Sequence, residues 1–325
     1  MRPPRSQSTD AAGATPAVVH RLALTLAGAT LALIFVGGLV TSTGSGLAVP
    51  DWPLSFGQVF PRMVGGVLYE HGHRMAAATV GALTVALALV TFLVEAPLRV
   101  RRLALLAVAT VIAQGLLGGL TVLLLLPPAV SMAHACLAQA FLCLTVAMAV
   151  VSGPRWSTAQ PPFGDRALAR LTAATAGVVY CQLIVGALVR HTGAGLAIPD
   201  FPLAFGQLVP PFDTPSIAIH FAHRLGAVAV TTMVVWSAAR VLRTQSADPR
   251  LVRPALLACG LVLAQVMLGA LIIWTQKAVL PTTAHVAVGA AVLATTLVLA
   301  MRAHRAAPPV TAAPAAVLGT ERVPA

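Results

Sequence analysis

Charged residues are scarce in this chain. Only 9% of its 325 residues are Asp, Glu, Lys or Arg, whereas 58% are hydrophobic, and the mean hydropathy is +0.88. Soluble domains carry roughly a quarter of charged residues. The composition therefore excludes a cytosolic enzyme, a DNA-binding module and a disordered chain. At about 20 residues per crossing, the length allows roughly seven to nine membrane-spanning helices.

Cysteines are also few, and none lies in a polar loop. All four fall within apolar stretches, so the sequence offers no loop disulfide, and we interpret them as small buried hydrophobic residues. They are Cys136, Cys143, Cys181 and Cys259. Cysteine usage therefore says little about the compartment.

Long apolar stretches dominate the sequence. There are eight, each long enough to cross a bilayer. They cover approximately residues 18–41, 67–94, 103–126, 130–151, 168–190, 216–241, 254–276 and 282–302. The sequence thus predicts an all-α polytopic membrane protein with eight transmembrane helices.

The basic residues predict the orientation. Of the 21 Lys and Arg residues, 16 lie at span ends that face the same side: Arg2, Arg5, Arg21, Arg99, Arg101, Arg102, Arg155, Arg166, Arg170, Arg240, Arg243, Arg250, Arg253, Arg302, Arg305 and Arg322. By the positive-inside rule that side is cytoplasmic, as are both termini. The net charge of +12 is therefore a topology signal that favours anionic lipid over nucleic acid as its partner.

The second half of the chain repeats the first. Residues 43–61, TGSGLAVPDWPLSFGQVFP, match residues 192–210, TGAGLAIPDFPLAFGQLVP, at 13 of 19 positions. Four crossings per repeat preserve orientation, so we predict two homologous four-helix bundles related by a pseudo-twofold axis along the membrane normal. The predicted boundaries are a disordered cytoplasmic tail (1–17), an N-terminal half (18–151), a cytoplasmic linker (152–167), a C-terminal half (168–303) and a second disordered cytoplasmic tail (304–325).

Four histidines recur at equivalent positions of the repeat. His73, His134, His223 and His285 lie on spans two, four, six and eight, near their outer ends. Ionisable groups within a span are costly and mark functional sites. Two opposed imidazoles in an apolar four-helix bundle suit bis-histidine ligation of a haem, which predicts one haem per half. Zinc would be short of ligands in either half.

The two halves differ beside these histidines. Glu70 precedes His73 by three residues and shares its helix face, whereas His220 stands three residues before His223. We expect the first half to perform chemistry, with Glu70 assisting proton transfer or stabilising an electron-poor intermediate, and the second to hold an electron-transfer haem. A simply hydrated interfacial glutamate is the alternative for Glu70.

Arginines follow two of the histidines. Arg74 and Arg224 could pair with haem propionates through bidentate bonds; the alternative is that they extend to the membrane interface. The Gly- and Pro-rich outer loops, in which Asp51 and Asp200 repeat, are expected to cover the haem pockets. Turn capping is the expected role of these two aspartates.

Two glutamines also repeat in mid-span. Gln114 and Gln265 are each followed by a glycine four residues later, Gly118 and Gly269. This pattern favours hydrogen bonding between helices combined with close packing at the glycines.

Taken together, the motifs point to a family. The segments TGSG…DWPLSFGQ, EHGHR, AHACLAQA, TGAGLAIPDFPLAFGQ, AHR and TAHVAVG resemble the haem A synthase (CtaA) family, and the resemblance covers residues 18–303. It implies an oxidoreductase that converts the C8 methyl of haem O to a formyl group by successive hydroxylations, as needed for cytochrome oxidase assembly. Several bacterial branches carry a cysteine pair in the first outer loop; here Val49 and Ser55 stand at about those positions.

The resemblance also assigns roles to individual residues. It implies that Glu70 is the catalytic carboxylate, that His73 and His134 flank the substrate haem O, and that His223 and His285 ligate a haem b cofactor. The expected setting is the cell membrane, with the haem sites near its outer face. The expected partners are a haem O synthase, an unidentified electron donor, lipid and, in a homo-oligomer, further copies of the chain.

Two alternatives belong to other functional classes. A di-haem b-type electron carrier without haem-modifying activity explains the four histidines equally well, but gives no reason for Glu70 in one half alone. A duplicated transporter would need polar groups along a transport path. The mid-membrane polar residues are essentially Gln114, Gln265 and hydroxyl residues, which disfavours a transporter.

Overall fold

The structure is a computed structural model that describes residues 15–154, 156 and 165–306. The expected disordered tails and most of the expected linker lie outside these residues. At the borders with these segments, two of the described helices extend slightly further than predicted. The last helix continues to Ala306, three residues into the segment expected to be a tail, and the fifth begins at Arg166, inside the expected linker.

The described residues form eight α-helices and one short 3-10 turn, with isolated β-bridges only. All eight helices are long and apolar enough to cross a membrane, which confirms the predicted all-α class. The helices are α1 (Ala17–Ser42), α2 (Gly66–Leu93), α3 (Leu98–Leu123), α4 (Pro128–Val151), α5 (Arg166–His191), α6 (Pro215–Thr244), α7 (Pro249–Trp274) and α8 (Val279–Ala306).

Several helix ends depart from the ends of the apolar runs by three to five residues, in α3, α6, α7 and α8. Helices α3 and α7 each begin five residues before the predicted span, because a helix continues through arginine-rich turns outside the hydrocarbon region. Helix α3 also ends three residues early. Leu125 and Leu126 are apolar but have φ of 60°, and this left-handed conformation cannot continue a right-handed helix.

Local sequence explains where several helices begin. Pro128, Pro215 and Pro249 occupy first-turn positions, where no backbone donor is needed. Asp165 caps α5 by accepting the Leu168 amide at 2.8 Å, and its carboxylate also pairs with Arg240 of α6 at 3.0 Å. This cap therefore also ties α5 to α6.

Each half closes into a four-helix bundle. Consecutive helices pack together, α1 also packs against α4, and α5 against α8. The halves meet through the pairs α1–α8, α4–α5 and α4–α8. Exchanging α1 with α5 and α4 with α8 leaves this set of contacts unchanged, which is compatible with the predicted pseudo-twofold axis.

The two ends of the bundles differ in composition. We call the end that carries the long loops, residues 43–65 and 192–214, the outer end, and the opposite end the inner end. The inner end is packed by large, fully buried apolar side chains, among them Leu87, Val100, Met148, Val241, Leu251 and Leu299. The four repeated histidines instead lie toward the outer end, so an apolar core packs the bundles on the inner side of these polar residues.

All four cysteines are free. Three of them are partly buried, but Cys181 is exposed, so the interpretation of every cysteine as buried is wrong at this position. It lies on α5 between Tyr180, which bonds across to α4, and Gln182, which bonds to α6. The helix uses those neighbouring faces for packing and leaves Cys181 on the outside.

Candidate functional site

Both outer loops are held by an aspartate that caps a tight turn. Asp51 accepts the backbone amides of Phe56 at 2.7 Å and Gly57 at 2.8 Å, and Asp200 makes the equivalent two bonds at 2.7 and 2.8 Å. The predicted capping role is confirmed. In each loop the glycine N–H, followed by the other amide, holds the pKa of the aspartate below its usual value.

The repeated arginines anchor these loops to the second helix of each half. Arg74 donates to the Asp51 carbonyl at 2.7 Å, and Arg224 donates to the Asp200 carbonyl at 2.7 Å. Each guanidinium makes further bonds to carbonyls of its own loop. Loop anchoring thus accounts for both residues, and pairing with haem propionates stays a prediction.

Glu70 and His220 perform the same anchoring task with different chemistry. Glu70 is buried, and its carboxylate accepts the Val49 amide at 2.8 Å and pairs with Arg74 at 2.6 Å. His220, also buried, accepts the equivalent Ile198 amide through Nδ1 at 3.2 Å. Sequence reasoning missed this shared structural role, although the equivalence of the two positions could have revealed it.

A second polar contact exists in the N-terminal half alone. His71 Nδ1 lies 2.8 Å from the hydroxyl of Ser55, and both side chains are buried. The equivalent residues are Phe221 and Ala204, which belong to an apolar cluster under the second loop. In the sequence, the replacement of both partners between the two halves could have revealed this contact.

The first loop crosses the outer end of its bundle. The Trp52 indole packs on Gly119 of α3, where an added Cβ would lie 2.7 Å from the ring. In the second loop Phe201 instead meets Trp274 edge-on, with 6.3 Å between ring centres. The loops therefore contact α3 and α7 at the outer ends of the bundles through aromatic side chains, and their predicted role in covering haem pockets stays a prediction.

Each repeated histidine packs against a glycine of the preceding helix in its bundle. A Cβ on any of these glycines would lie 3.1–3.3 Å from the Cε1 atom of the ring, which leaves room for glycine alone without displacing the imidazole. The pairs are Gly37 with His73, Gly118 with His134, Gly186 with His223 and Gly269 with His285. The close packing predicted at Gly118 and Gly269 is confirmed, and it recurs at the other two sites.

Two glutamines bond to these histidines from the neighbouring helix. Gln114 donates to the His134 carbonyl at 3.0 Å, as predicted for this residue. Gln182 donates to the His223 carbonyl at 2.7 Å, and its amide lies 3.0 Å from Nδ1 of the same ring. Gln182 was missed from the sequence, because its equivalent in the first half is Leu33 and no repeat drew attention to it.

The histidine pair of the C-terminal half has the separation that a bound iron requires. The ring centres of His223 and His285 are 6.3 Å apart, and the ring planes are inclined to each other by 63°. A metal–imidazole bond is about 2 Å long, so two rings on opposite sides of one iron have centres roughly 6 Å apart. Within the described residues no group of three or more His, Cys, Asp and Glu side chains forms a fuller metal cluster.

Comparison with known proteins places this geometry in context. Residues 64–297 match the COX15-CtaA family, described as a cytochrome oxidase assembly protein. A heme A synthase of Symbiobacterium thermophilum is 36% identical over 264 residues, covering 77% of this chain and 84% of the relative. Those of Shouchella clausii and Halalkalibacterium halodurans are 32% and 30% identical, over 81% and 82% of this chain and 89% and 90% of their own.

Proposed function

The chain belongs to the COX15-CtaA family of cytochrome oxidase assembly proteins, and from this premise we propose that it is a haem A synthase. It is a multi-pass membrane oxidoreductase that converts the C8 methyl of haem O to a formyl group by successive hydroxylations. The single observation that carries this proposal beyond the family match is the asymmetry of two similar bundles. Both contain a histidine pair, but a buried carboxylate, Glu70, lies beside only one of them.

We assign the haem b cofactor to the C-terminal half. His223 and His285 would hold its iron, which is supported by the 6.3 Å separation of their rings and by the glycines that let the rings lie against α5 and α7. When bound, this haem supplies one-electron redox chemistry. The chain contributes the ligand geometry, the apolar surroundings and the loop that limits access of water.

We assign the substrate haem O to the N-terminal half, between His73 and His134. The Nδ1 atoms of both are buried and have no hydrogen-bond partner among the described residues, whereas Nε2 of His134 lies 3.4 Å from the Gln114 amide. Trp52 and its loop cover the outer end of this bundle. A covered, apolar pocket suits a porphyrin and restricts solvent during oxidation.

Glu70 is the group that we assign to proton transfer. It is the one carboxylate within the eight described helices, and Val49 and Arg74 hold it in a single orientation. A buried, oriented carboxylate can take up protons released as the C8 substituent is oxidised. A di-haem carrier would leave Glu70 with the loop-anchoring role that it shares with His220, but it would need no proton acceptor in one half alone.

The orientation and partners complete the proposal. The arginine-rich first turn of α3 and the last turns of α6 and α8 lie at the inner end, and we assign this end to the cytoplasmic face of the cell membrane. The haem sites then lie near the outer face. A haem O synthase supplies the substrate, and an electron donor and lipid are further partners.

The test is co-expression with a haem O synthase, followed by extraction and mass analysis of the haems. We expect hydroxymethyl and formyl products, whereas membranes that contain the haem O synthase alone should yield only haem O. Haem O without oxidised product, in membranes where the chain shows its low-spin haem spectrum, would instead establish the electron carrier.

A further inference from the structure

One arginine crosses the boundary between the two halves near their outer ends. Arg190 lies in the last turn of α5. One nitrogen of its guanidinium donates to the Gly38 carbonyl of α1 at 2.9 Å and lies 3.1 Å from the Ser42 hydroxyl of the same helix. Because α5 belongs to the C-terminal half and α1 to the N-terminal half, this side chain ties together the two bundles that carry the histidine pairs.

The acceptor on α1 lies between the two histidine sites. Gly38 follows Gly37, the glycine against which the His73 ring packs. A Cβ on Gly38 would lie 3.2 Å from the side chain of Thr283, which is fully buried on α8 two residues before His285. The charge of the guanidinium also reaches the His285 ring. We call this meeting point of α1, α5 and α8 the junction, and it adjoins both sites.

No acidic side chain of the described residues offsets the charge of Arg190. Three ion pairs form among these residues, and none of them includes Arg190. Its two partners, a carbonyl and a hydroxyl, are neutral. A guanidinium stays protonated in proteins, and ionisable groups within a span are costly and mark functional sites. Arg190 therefore brings a permanent positive charge to the junction.

The equivalent place on the other side of the predicted pseudo-twofold axis is uncharged. Its three residues are Thr41, Ala187 and Met132, at the positions of Arg190, Gly38 and Thr283. Thr41 donates within its own helix, to the Gly37 carbonyl at 3.1 Å. The two halves therefore differ here, and the charge is present at one of the two places that the repeat allows.

A fixed positive charge near a haem favours the reduced state of its iron. One-electron reduction lowers the positive charge of the iron by one, so it weakens the repulsion between the iron and a neighbouring cation. At a separation of roughly 10 Å and an effective dielectric constant of about 20, one unit charge changes such an equilibrium about tenfold. For a one-electron couple, a tenfold change corresponds to about 59 mV.

We propose that Arg190 is a positioning residue whose charge raises the reduction potential of the haem b in the C-terminal half. Its bonds to Gly38 and Ser42 hold that charge at the junction. This inference rests on the proposed function, because it takes that haem as the electron-transfer cofactor. A higher potential helps the haem to accept electrons from its donor, and α1 belongs to the half that we assign to the substrate.

The first experiment is a spectroelectrochemical titration of the purified full-length protein in detergent, with the absorbance of its low-spin haem as readout. Arg190→Gln removes the charge and keeps an amide donor. At the midpoint potential of the parent it should lower the ratio of reduced to oxidised haem about tenfold, a shift of about 59 mV. Arg190→Lys keeps the charge and should restore most of the parent potential.

Two results of this titration would overturn the inference. One is an unchanged potential in Arg190→Gln at the haem content of the parent. The other is an equal shift in Arg190→Gln and Arg190→Lys, because the potential would then depend on the shape of the side chain and not on its charge.

Lys277→Gln is the matched control, because it removes the same charge from the outer end of the same half. Lys277 is exposed in the turn before α8, so its charge is screened by solvent and salt. We expect a clearly smaller shift than in Arg190→Gln. An equal shift would show that any positive charge at this end supports the potential, and it would contradict a specific role for Arg190.

A second pair of variants tests the charge without replacing the arginine. Ser42→Asp places a carboxylate where the hydroxyl lies 3.1 Å from the guanidinium, so the two charges offset each other and the potential should fall. Ser42→Asn has a similar shape without the charge, and it should keep the parent potential. This pair decides the matter if Arg190→Gln fails to fold or loses its haem. Equal potentials in Ser42→Asp and Ser42→Asn would overturn the inference.

The proposed function has a separate readout. If co-expression with a haem O synthase yields oxidised haem while Arg190→Gln and Ser42→Asp keep the parent potential, the function holds and only the role of Arg190 fails. If both variants lower the potential but the parent forms no oxidised haem, the proposed function fails and the effect of the charge holds. If His223→Ala keeps the low-spin spectrum, the assignment of haem b to the C-terminal half is itself wrong.

Discussion

The two halves share a scaffold and differ in the contacts around it. Both keep a glycine under each histidine, an aspartate that caps the loop turn, and an arginine that binds the loop backbone. The differences are concentrated at the groups that touch the loop or the rings. Glu70 in the N-terminal half occupies the position of His220 in the C-terminal half, and Leu33 occupies the position of Gln182.

This contrast separates the features that the two bundles share from those in which they differ. The glycines set the distance between helix and ring, so they cannot change without moving the imidazole. The residues that contact the outer edge of the ring or the loop can change while the bundle stays intact. Among these contacts, the two halves therefore differ at side chains that touch the loops or the rings and agree at the glycines.

The largest expected effect comes from removing an iron ligand in one half and its equivalent in the other. His223→Ala should abolish the low-spin haem b spectrum of purified protein, because no neighbouring group replaces the lost nitrogen. His73→Ala should keep that spectrum and lose oxidation of haem O. The two variants are compared by pyridine haemochrome content and by reduced-minus-oxidised spectra. Equal loss of haem b in both would contradict the division of roles.

Glu70→Gln tests the carboxylate apart from the loop anchor. The amide oxygen can still accept the Val49 N–H, but the second oxygen becomes an NH2 group, so the ion pair with Arg74 is lost together with the proton acceptor. We expect formation of oxidised haem to fall by about 10²–10⁴-fold, measured by haem extraction after co-expression with a haem O synthase.

His220→Gln is the matched change in the other half, and it should reduce product far less. The state of the first loop is checked separately. Hydrogen exchange of residues 49–61, which include Trp52, reports whether the loop remains closed. Loss of activity together with an open loop in Glu70→Gln would indicate a structural role alone.

The aspartate turns predict a response of each loop to acid. The Gly57 and Phe56 amides hold the pKa of Asp51 below its ordinary value of 3.8, so folding favours the charged form. Its stabilising contribution is complete above pH 3.8 and is lost as the pH falls through the lower folded value. Asp51→Asn should accelerate hydrogen exchange of its own loop at neutral pH by roughly tenfold, without affecting residues 192–210.

Asp200→Asn is the reciprocal case and should open only the second loop. Because the first loop covers the proposed substrate site, Asp51→Asn should also lower product formation more than Asp200→Asn does. Equal effects of the two variants on both loops would show that the loops are coupled rather than independent.

The smallest expected effect concerns the contact between loop and α3. Gly119→Ala forces the Trp52 indole to move, because the new Cβ would lie 2.7 Å from the ring, and overpacking of this kind costs about 1–3 kcal/mol. We expect a lower melting temperature in detergent. Ala270→Gly, at the equivalent position of α7, relieves no such contact and should leave the first loop unaffected. An unchanged melting temperature in Gly119→Ala would show that Trp52 can repack freely.

Much of the fold could be predicted from the sequence. The apolar runs placed all eight helices, because a bilayer requires about 20 apolar residues per crossing. Their ends were predicted less well, as α3 and α7 show, since polar turns outside the hydrocarbon remain helical and apolar Leu125 and Leu126 form a turn.

The site could be predicted only in part. The histidines, the capping aspartates and Gln114 were accessible because they repeat or lie in apolar surroundings. Gln182 and the pair of His71 with Ser55 were not, since each depends on a partner on another segment. Arg74 shows the same limit, because its charge suggested a ligand while its geometry places it on the loop backbone.

The sequence by itself determined that this chain crosses a membrane eight times, that its halves are homologous, and which histidines correspond to one another. These features follow from composition and repetition along the chain. Only the tertiary structure decided which imidazole nitrogens have partners, that Glu70 and His220 bind the loops, and that Arg190 of one half bonds to Gly38 of the other. Such contacts depend on distances of a few ångströms between different helices, which no pattern within a single segment specifies.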